Sequence, residues 1–143
     1  MPRLLTGIRR GRLTLPEGAA VEHSLTHIDN LVAAVILALE PTAPAGIFNI
    51  GDDGPVLLSE VLAELLAKKG RSDVTLNRIP YGTAFALASA VELAHRLSRR
   101  GRPRVTRYAV SQLGLERTLD LSAARQQLGY RPKPTSLVGA ERW

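Results

Sequence analysis

One segment restricts the fold more than any other. Ile28, Leu31, Val32, Val35, Ile36 and Leu39 recur at helical spacing and fall on one face. Ala33, Ala34, Leu37 and Ala38 lie between them, so the opposite side is nearly as apolar. A helix that is apolar all round needs cover on both sides, and the spacing predicts one buried over residues 28–39. Asp29 and Asn30 stand in its first turn, where a carboxylate favours the helix dipole. Pro41 and Pro44 end it. The apolar run is far shorter than the ~20 residues that span a bilayer, so the chain is not expected to cross a membrane.

The remainder reads as short elements. Residues 1–10 are expected to form a helix ending at Gly11, with Leu4, Leu5 and Ile8 on its apolar side. A strand at 12–15 and a turn at Pro16 and Gly18 follow. Residues 24–26 read as extended. Residues 46–51, β-branched and aromatic between glycines, read as a buried strand, with Asp52, Asp53, Gly54 and Pro55 as the turn after it. Ser59 is placed to cap a helix that turns Val61, Leu62, Leu65 and Leu66 inward, pairs Glu64 with Lys68 and ends at Gly70. Beyond it come a strand at 74–79 and an Ala-rich helix at 83–100 broken by Gly101 and Pro103. A shorter helix is expected at 105–113, an extended piece at 118–121 and a small helix at 122–128 closed by Gly129, before an irregular tail.

A length of 143 residues suffices for one domain with a core, and 45% hydrophobic with 22% charged is ordinary for a globular chain. Cysteine is absent, which excludes a disulfide framework, a thiolate metal site and a cysteine nucleophile. The first residues are basic and lack the apolar run of a secretory signal, so a cytoplasmic location is expected. The formal charge of +6 arises after residue 50, much of it from Arg96, Arg99, Arg100, Arg102, Arg104 and Arg107 with no acid among them. Such a block meets phosphate or an anionic surface, or is a solvated helix end with a basic loop. Nucleic-acid readers interleave aromatics with their basic residues, and only Tyr108 lies nearby, so nucleic acid is not the expected partner. His23 and His27 are four apart without a third ligand at suitable spacing, so no metal site is expected. Asp52 and Asp53 are adjacent and point different ways, a poor acid–base pair, and read as turn residues.

Three segments carry a resemblance. THIDNLVAAVILALE (26–40) is similar to a "(V/I)HVDNLA-A" helix start, and AGIFNIGDDGPVLLSEVL (45–62) to a "G-x-x-(Y/F)-N-(I/V)-G" strand with its turn and helix. TLDLSAARQQLGYRPKPTS (118–136) is similar to a terminal "D-x-S-K-A-x-x-x-LGY-x-P" element, and RVTRYAVSQL to the helix preceding it. In this order the chain resembles the C-terminal third of extended short-chain dehydrogenases/reductases, the NAD-dependent epimerase/dehydratase group, and most closely their 3β-hydroxysteroid-dehydrogenase-like branch. The resemblance implies an α/β fragment: a helix-rich C-terminal subdomain of an extended Rossmann-type dehydrogenase with a few short strands. Residues 1–143 would be one substrate-binding region, with 1–57 packing on a Rossmann sheet and 58–143 forming a helical substrate-side lobe. The implied reaction is hydride transfer at a hydroxyl or keto carbon of a sugar-nucleotide, sterol-like or other small substrate. NAD or NADP is the implied cofactor of the complete family member.

The family's own machinery is not in this sequence. A dinucleotide fingerprint needs three glycines between a strand and a helix. Gly7 with Gly11 falls in an expected helix, and Gly51 with Gly54 encloses two carboxylates. A catalytic Tyr-x-x-x-Lys is absent, since Phe85 follows Tyr81 and Gln112 follows Tyr108 at that spacing, while Tyr130 has Lys133 at three in a Pro-flanked tail. No residue is therefore assigned to catalysis, cofactor or metal, and the chain is expected to be inactive alone and to bind no cofactor alone. By resemblance Thr26, His27, Tyr81, Arg104 and Arg107 lie near substrate, while Asp29, Asn30, Asn49 and Gly51 are structural. His27 either bonds substrate or caps backbone. As the orphaned half of a truncated or split enzyme, the chain would expose the apolar patch built to be covered. The alternatives are a half-enzyme completed in trans by a Rossmann-bearing partner, a homo-oligomer, or a basic module meeting nucleic acid or anionic membrane through Arg96 to Arg107.

Overall fold

The computed structural model describes residues 7–98, 103 and 105–139. Strand β1 (Arg12–Pro16) buries Leu13 and Leu15 and exposes Arg12 and Thr14 between them, the period of two that a half-covered strand requires. It pairs in parallel with β4 (Thr75–Ile79), Leu13 lying opposite Leu76. A short antiparallel pair joins β2 (Glu22–His23) to β3 (Val56–Leu57), and His23 bridges to Arg117. The helices are α1 (Ile28–Ala38), α2 (Leu58–Lys68), α3 (Tyr81–Ser98), α4 (Arg107–Gly114) and α5 (Ser122–Gln127). The described residues thus form an α/β fold of five helices and two two-stranded sheets.

Three apolar clusters hold these elements. Leu13, Leu15, Ala19 and Leu62 close β1 against α2, with Val74, Leu76 and Leu113 around them. Ala84 and Ala88 of α3 meet Val110 of α4 beside Ile79 and Tyr81. Ala34 of α1 meets Ala124, Leu128 and Tyr130, with Leu37, Phe48 and Ile50 alongside.

The helix ends show which signals were local and which were not. At the end of α2, Gly70 adopts φ +66, its N–H donates to the Ala67 carbonyl, and the Arg71 N–H donates to the Leu66 carbonyl. This double closure needs the left-handed residue that Gly supplies. Ser59, expected as the cap of α2, lies inside the helix; Leu57 occupies the N-cap and offers no side-chain acceptor. Helix α3 begins at Tyr81 rather than 83 because of a distant residue. The Glu17 carboxylate accepts the Tyr81 N–H at 2.7 Å and Arg78 Nε at 2.8 Å, taking the place of a local cap. Glu17, Gly18 and Ala19 all hold left-handed φ values of 50, 65 and 56. Two of the three are not Gly, a strained conformation that persists only when its surroundings enforce it; the bonds to Arg78 and Tyr81 do so.

Three further expectations are corrected. Residues 7–11 form a turn closed by paired Arg9–Arg12 backbone bonds, not a helix; residues 1–6 lie outside the described residues. Residues 46–51 are not a strand, and Ile47 is 97% exposed, because a strand needs a laddered neighbour and none lies beside this segment among the described residues. Helix α1 is covered on one side only. Asn30 and Ala34 are buried, whereas Ile28, Leu31, Val32, Val35, Ile36 and Leu39, the face expected to be inside, are open.

Two outcomes test this packing. A Cβ on Gly114 would stand 2.7 Å from Pro16 Cβ and 2.9 Å from Tyr81 Cδ2. Gly114→Ala should therefore cost about 1–3 kcal/mol in urea unfolding, and an unchanged midpoint would contradict the close approach. The Tyr81 N–H first, then the Arg78 side chain, hold the Glu17 carboxyl below its ordinary 4.5. The Arg107 N–H and then its guanidinium do the same for Glu92. A depressed native pKa contributes stability above the unfolded value and loses it as pH falls through the folded one. Stability should fall as pH drops below 4.5, and Glu17→Gln with Glu92→Gln should flatten that fall; parallel acid limbs would refute it.

Candidate functional site

The carboxylate of Asp52 is 2% exposed, and a buried carboxylate persists only where donors surround it. Oδ1 accepts the His27 N–H at 2.6 Å and Asn30 Nδ2 at 2.7 Å; Oδ2 accepts the Thr135 hydroxyl at 2.8 Å. Asn30 then reaches the tail, donating to the Lys133 carbonyl at 2.8 Å and accepting the Lys133 N–H at 2.9 Å. The backbone repeats the pattern: the Asp52 N–H donates to the Leu25 carbonyl and the Asp53 N–H to the Lys133 carbonyl. Tyr130, 1% exposed, donates its hydroxyl to the Gly51 carbonyl at 2.8 Å. Burial first, and then the nearby Asp52 carboxylate, raise its phenol above the usual 10.0. Three segments distant in sequence, 25–30, 51–53 and 130–135, are thus tied at one point.

Beside this knot a cleft of about 390 Å³ opens between the start of α1 and the tail, lined by His27, Asp29, Asn30, Lys133, Pro134, Ser136 and Val138. His27 is the N-cap of α1, and its Nδ1 accepts the Asp29 N–H at 3.2 Å. Accepting at Nδ1 leaves the ring hydrogen on Nε2, so His27 brings a donor to the cleft wall. A smaller cavity of about 210 Å³ lies across Asp52, lined by Ser24, Gly54, Asp120, Ser122 and Arg125 among others.

The residues singled out in the sequence divide into separate groups. His27, Asp29 and Asn30 share the cleft. Thr26 is adjacent in sequence and donates to the Ile50 carbonyl at 3.1 Å. Gly51 lies under the Leu25 carbonyl, 3.3 Å from where a Cβ would stand, and Asn49 donates to the Asp120 carbonyl at 3.1 Å. Tyr81 packs elsewhere, its ring stacked on Phe85 with centroids 5.8 Å apart. Arg107 is bonded to Glu92 through Nε at 2.8 Å. Arg104 lies outside the described residues, as do Arg99, Arg100 and Arg102. His23 and His27 do not converge on a point: buried His23 turns Nε2 to the Gln112 carbonyl at 2.9 Å, and its Nδ1 has no hydrogen-bond partner among the described residues. No group of three metal-ligating residues occurs among the described residues. The Gly51–Gly54 turn does not offer a phosphate cradle, because Asp52 turns inward to its three donors and Asp53 pairs with Arg125. Sequence reading missed Asp52 and Lys133 as parts of one site; the signal was that all three resemblance segments contain a residue of this network.

No protein-family model matches the chain. It is 34% identical over 137 residues to a 2-alkyl-3-oxoalkanoate reductase of Shewanella oneidensis, covering 91% of this chain and 35% of that protein. It is 30% identical over 156 residues to short-chain dehydrogenase/reductase family 42E member 1 of Danio rerio, covering 100% of this chain and 40% of that protein. The crystal structure of gox2253 superposes with a TM-score of 0.53 at 18% identity, over 93% of this chain and 49% of that one, which shows a shared fold. The chain spans less than half the length of the curated relatives it matches. These likenesses, covering most of the chain, support a family of short-chain dehydrogenase/reductase type and an oxidoreductase kinship.

Removing the central acceptor should loosen all three segments. Asp52→Ala leaves the half-buried His27 N–H and Thr135 hydroxyl without this acceptor and is expected to cost about 1–3 kcal/mol. Asp52→Asn keeps one oxygen for Oδ1's donors and should cost less. Equal, small losses of thermal stability in both variants would refute the hub.

Proposed function

We propose that this chain is the substrate-binding portion of an NAD(P)-dependent reductase of the extended short-chain dehydrogenase/reductase type, in its 3β-hydroxysteroid-dehydrogenase-like branch, acting in the cytoplasm. The observation that carries the reading is the contrast between the two sides of α1. Its inner side is knotted to Asp52 and the tail; its outer side offers six large apolar side chains, each 42–77% exposed. Covering them is worth roughly 1 kcal/mol for each half-exposed side chain, enough to hold a nucleotide-binding portion against α1. Because the cleft opens at the first turn of the same helix, a portion seated on α1 would also adjoin the cleft. That portion would supply the nicotinamide and the catalytic groups this sequence lacks.

In this reading the chain binds and orients the substrate. The relative named for 2-alkyl-3-oxoalkanoates points to a ketone bearing a carboxylate and alkyl chains. His27 Nε2–H would donate to a substrate oxygen, the Lys133 ammonium would face the carboxylate, and Asn30 would fix both through its bonds to Asp52 and the tail. Arg107, bonded to Glu92, is less suited to a substrate phosphate than a free guanidinium, which favours this class over a sugar nucleotide. Whether the nucleotide-binding portion is joined to this chain or comes from a partner in trans does not alter the role of α1.

The test is a pair of titrations on the purified chain. With NADH or NADPH, fluorescence should show no saturable change. With a 2-alkyl-3-oxoalkanoate, amide resonances of His27, Asn30 and Lys133 should shift, and His27→Ala with Lys133→Ala should abolish the shifts. A micromolar dissociation constant for either dinucleotide, or shifts centred away from this cleft, would overturn the reading.

A further inference from the structure

Helix α3 has a second open face. Ala84 and Ala88 turn inward against Val110 of α4, while Leu87 and Leu93 are 58% exposed and Leu97 78%. At the helical repeat, these leucines and the exposed Ala86, Ala90 and Ala94 fall within one arc about 120° wide, on the side opposite Ala84 and Ala88. The arc contains no charged residue; Glu92, His95 and Arg96 lie outside it.

Charge is unevenly distributed along the sequence. Residues 13–67, which include α1, hold eight Asp and Glu and no Lys or Arg. Residues 68–143, which include α3, hold fifteen Lys and Arg against five Asp and Glu. An apolar strip that the sequence continues directly into Arg99, Arg100, Arg102 and Arg104 suits a surface that is apolar beneath and negative above. No described helix is long and apolar enough to cross a membrane, so α3 would lie along such a surface rather than through it.

We propose that the Leu87, Leu93 and Leu97 face of α3 is a peripheral docking surface for an anionic lipid bilayer. The leucines enter the boundary between headgroups and acyl chains, and the basic half of the molecule, Arg96 nearest on the same helix, faces the anionic headgroups. The inference stands apart from the cofactor and substrate reading above and fails or survives independently of it.

The whole chain is mixed with vesicles of phosphatidylcholine alone, or of phosphatidylcholine with one-third phosphatidylglycerol, and bound protein is measured by flotation. Retention should be about tenfold higher on the anionic vesicles and fall with added salt. Leu93→Glu with Leu97→Glu should reduce it about tenfold, while Leu31→Glu with Val35→Glu on α1 should leave it unchanged. Circular dichroism checks that each variant folds, and Leu87→Gln with Leu93→Gln serves as the milder pair. Equal retention on both vesicle types, or equal loss from the α1 variants, would overturn the proposal. So would conversion of a dimer to a monomer by Leu93→Glu without vesicle binding, which would assign the face to a second copy.

Discussion

A carboxylate taken out of water must find donors, and Asp52 finds them on segments that the chain itself separates widely. Its partners at His27 and Asn30 start α1, and its partner at Thr135 belongs to a tail without secondary structure of its own. Removing charge from solvent is costly unless hydrogen bonds replace the lost hydration, so these segments are bound to arrive together. The cleft follows from this convergence: His27 and Lys133, 106 positions apart in number, form one wall and the other because Asn30 bonds both the Asp52 carboxylate and the Lys133 backbone.

The same helix that carries the polar knot presents its apolar residues outward. Ala34 and Leu37 seat α1 on Ala124, Leu128 and Tyr130, and small residues there let the helix approach closely. The larger side chains point the other way. A composition that reads as doubly buried is thus half satisfied within the described residues, and the open half defines where a further layer fits. The second sheet-bearing region, β1 with β4, α2, α3 and α4, has its own cluster of leucines and alanines and leaves a separate face of α3 open.

What the sequence disclosed depended on the range of the signal. Strand β1, the body of each helix and the Gly70 and Gly129 stops rest on local periodicity or on left-handed glycines, and were legible. The start of α3 was not, because its cap is Glu17, 64 residues earlier. The segment at 46–51 has strand composition, yet a strand is defined by its neighbour, and composition carries no information about that neighbour. Asp52 looked like a turn residue because it is one: it precedes Gly54 with φ +96. Nothing local says that its side chain turns inward. The family resemblance held that information in another form, since its three segments are those that meet at Asp52. Thr26 and His27 stand together at the start of α1, and Tyr81 meets Phe85 at the i,i+4 spacing of one helix, whereas Arg107 is drawn to Glu92 by a contact that spacing does not reveal.

Amide hydrogen exchange reads the knot most directly. If the convergence on Asp52 organises the molecule, the His27 and Lys133 amides, which donate to Asp52 and Asn30, will exchange as slowly as the core amides of α2, despite lying at a helix start and in an irregular tail. Exchange of these two amides at rates typical of exposed loops would contradict it.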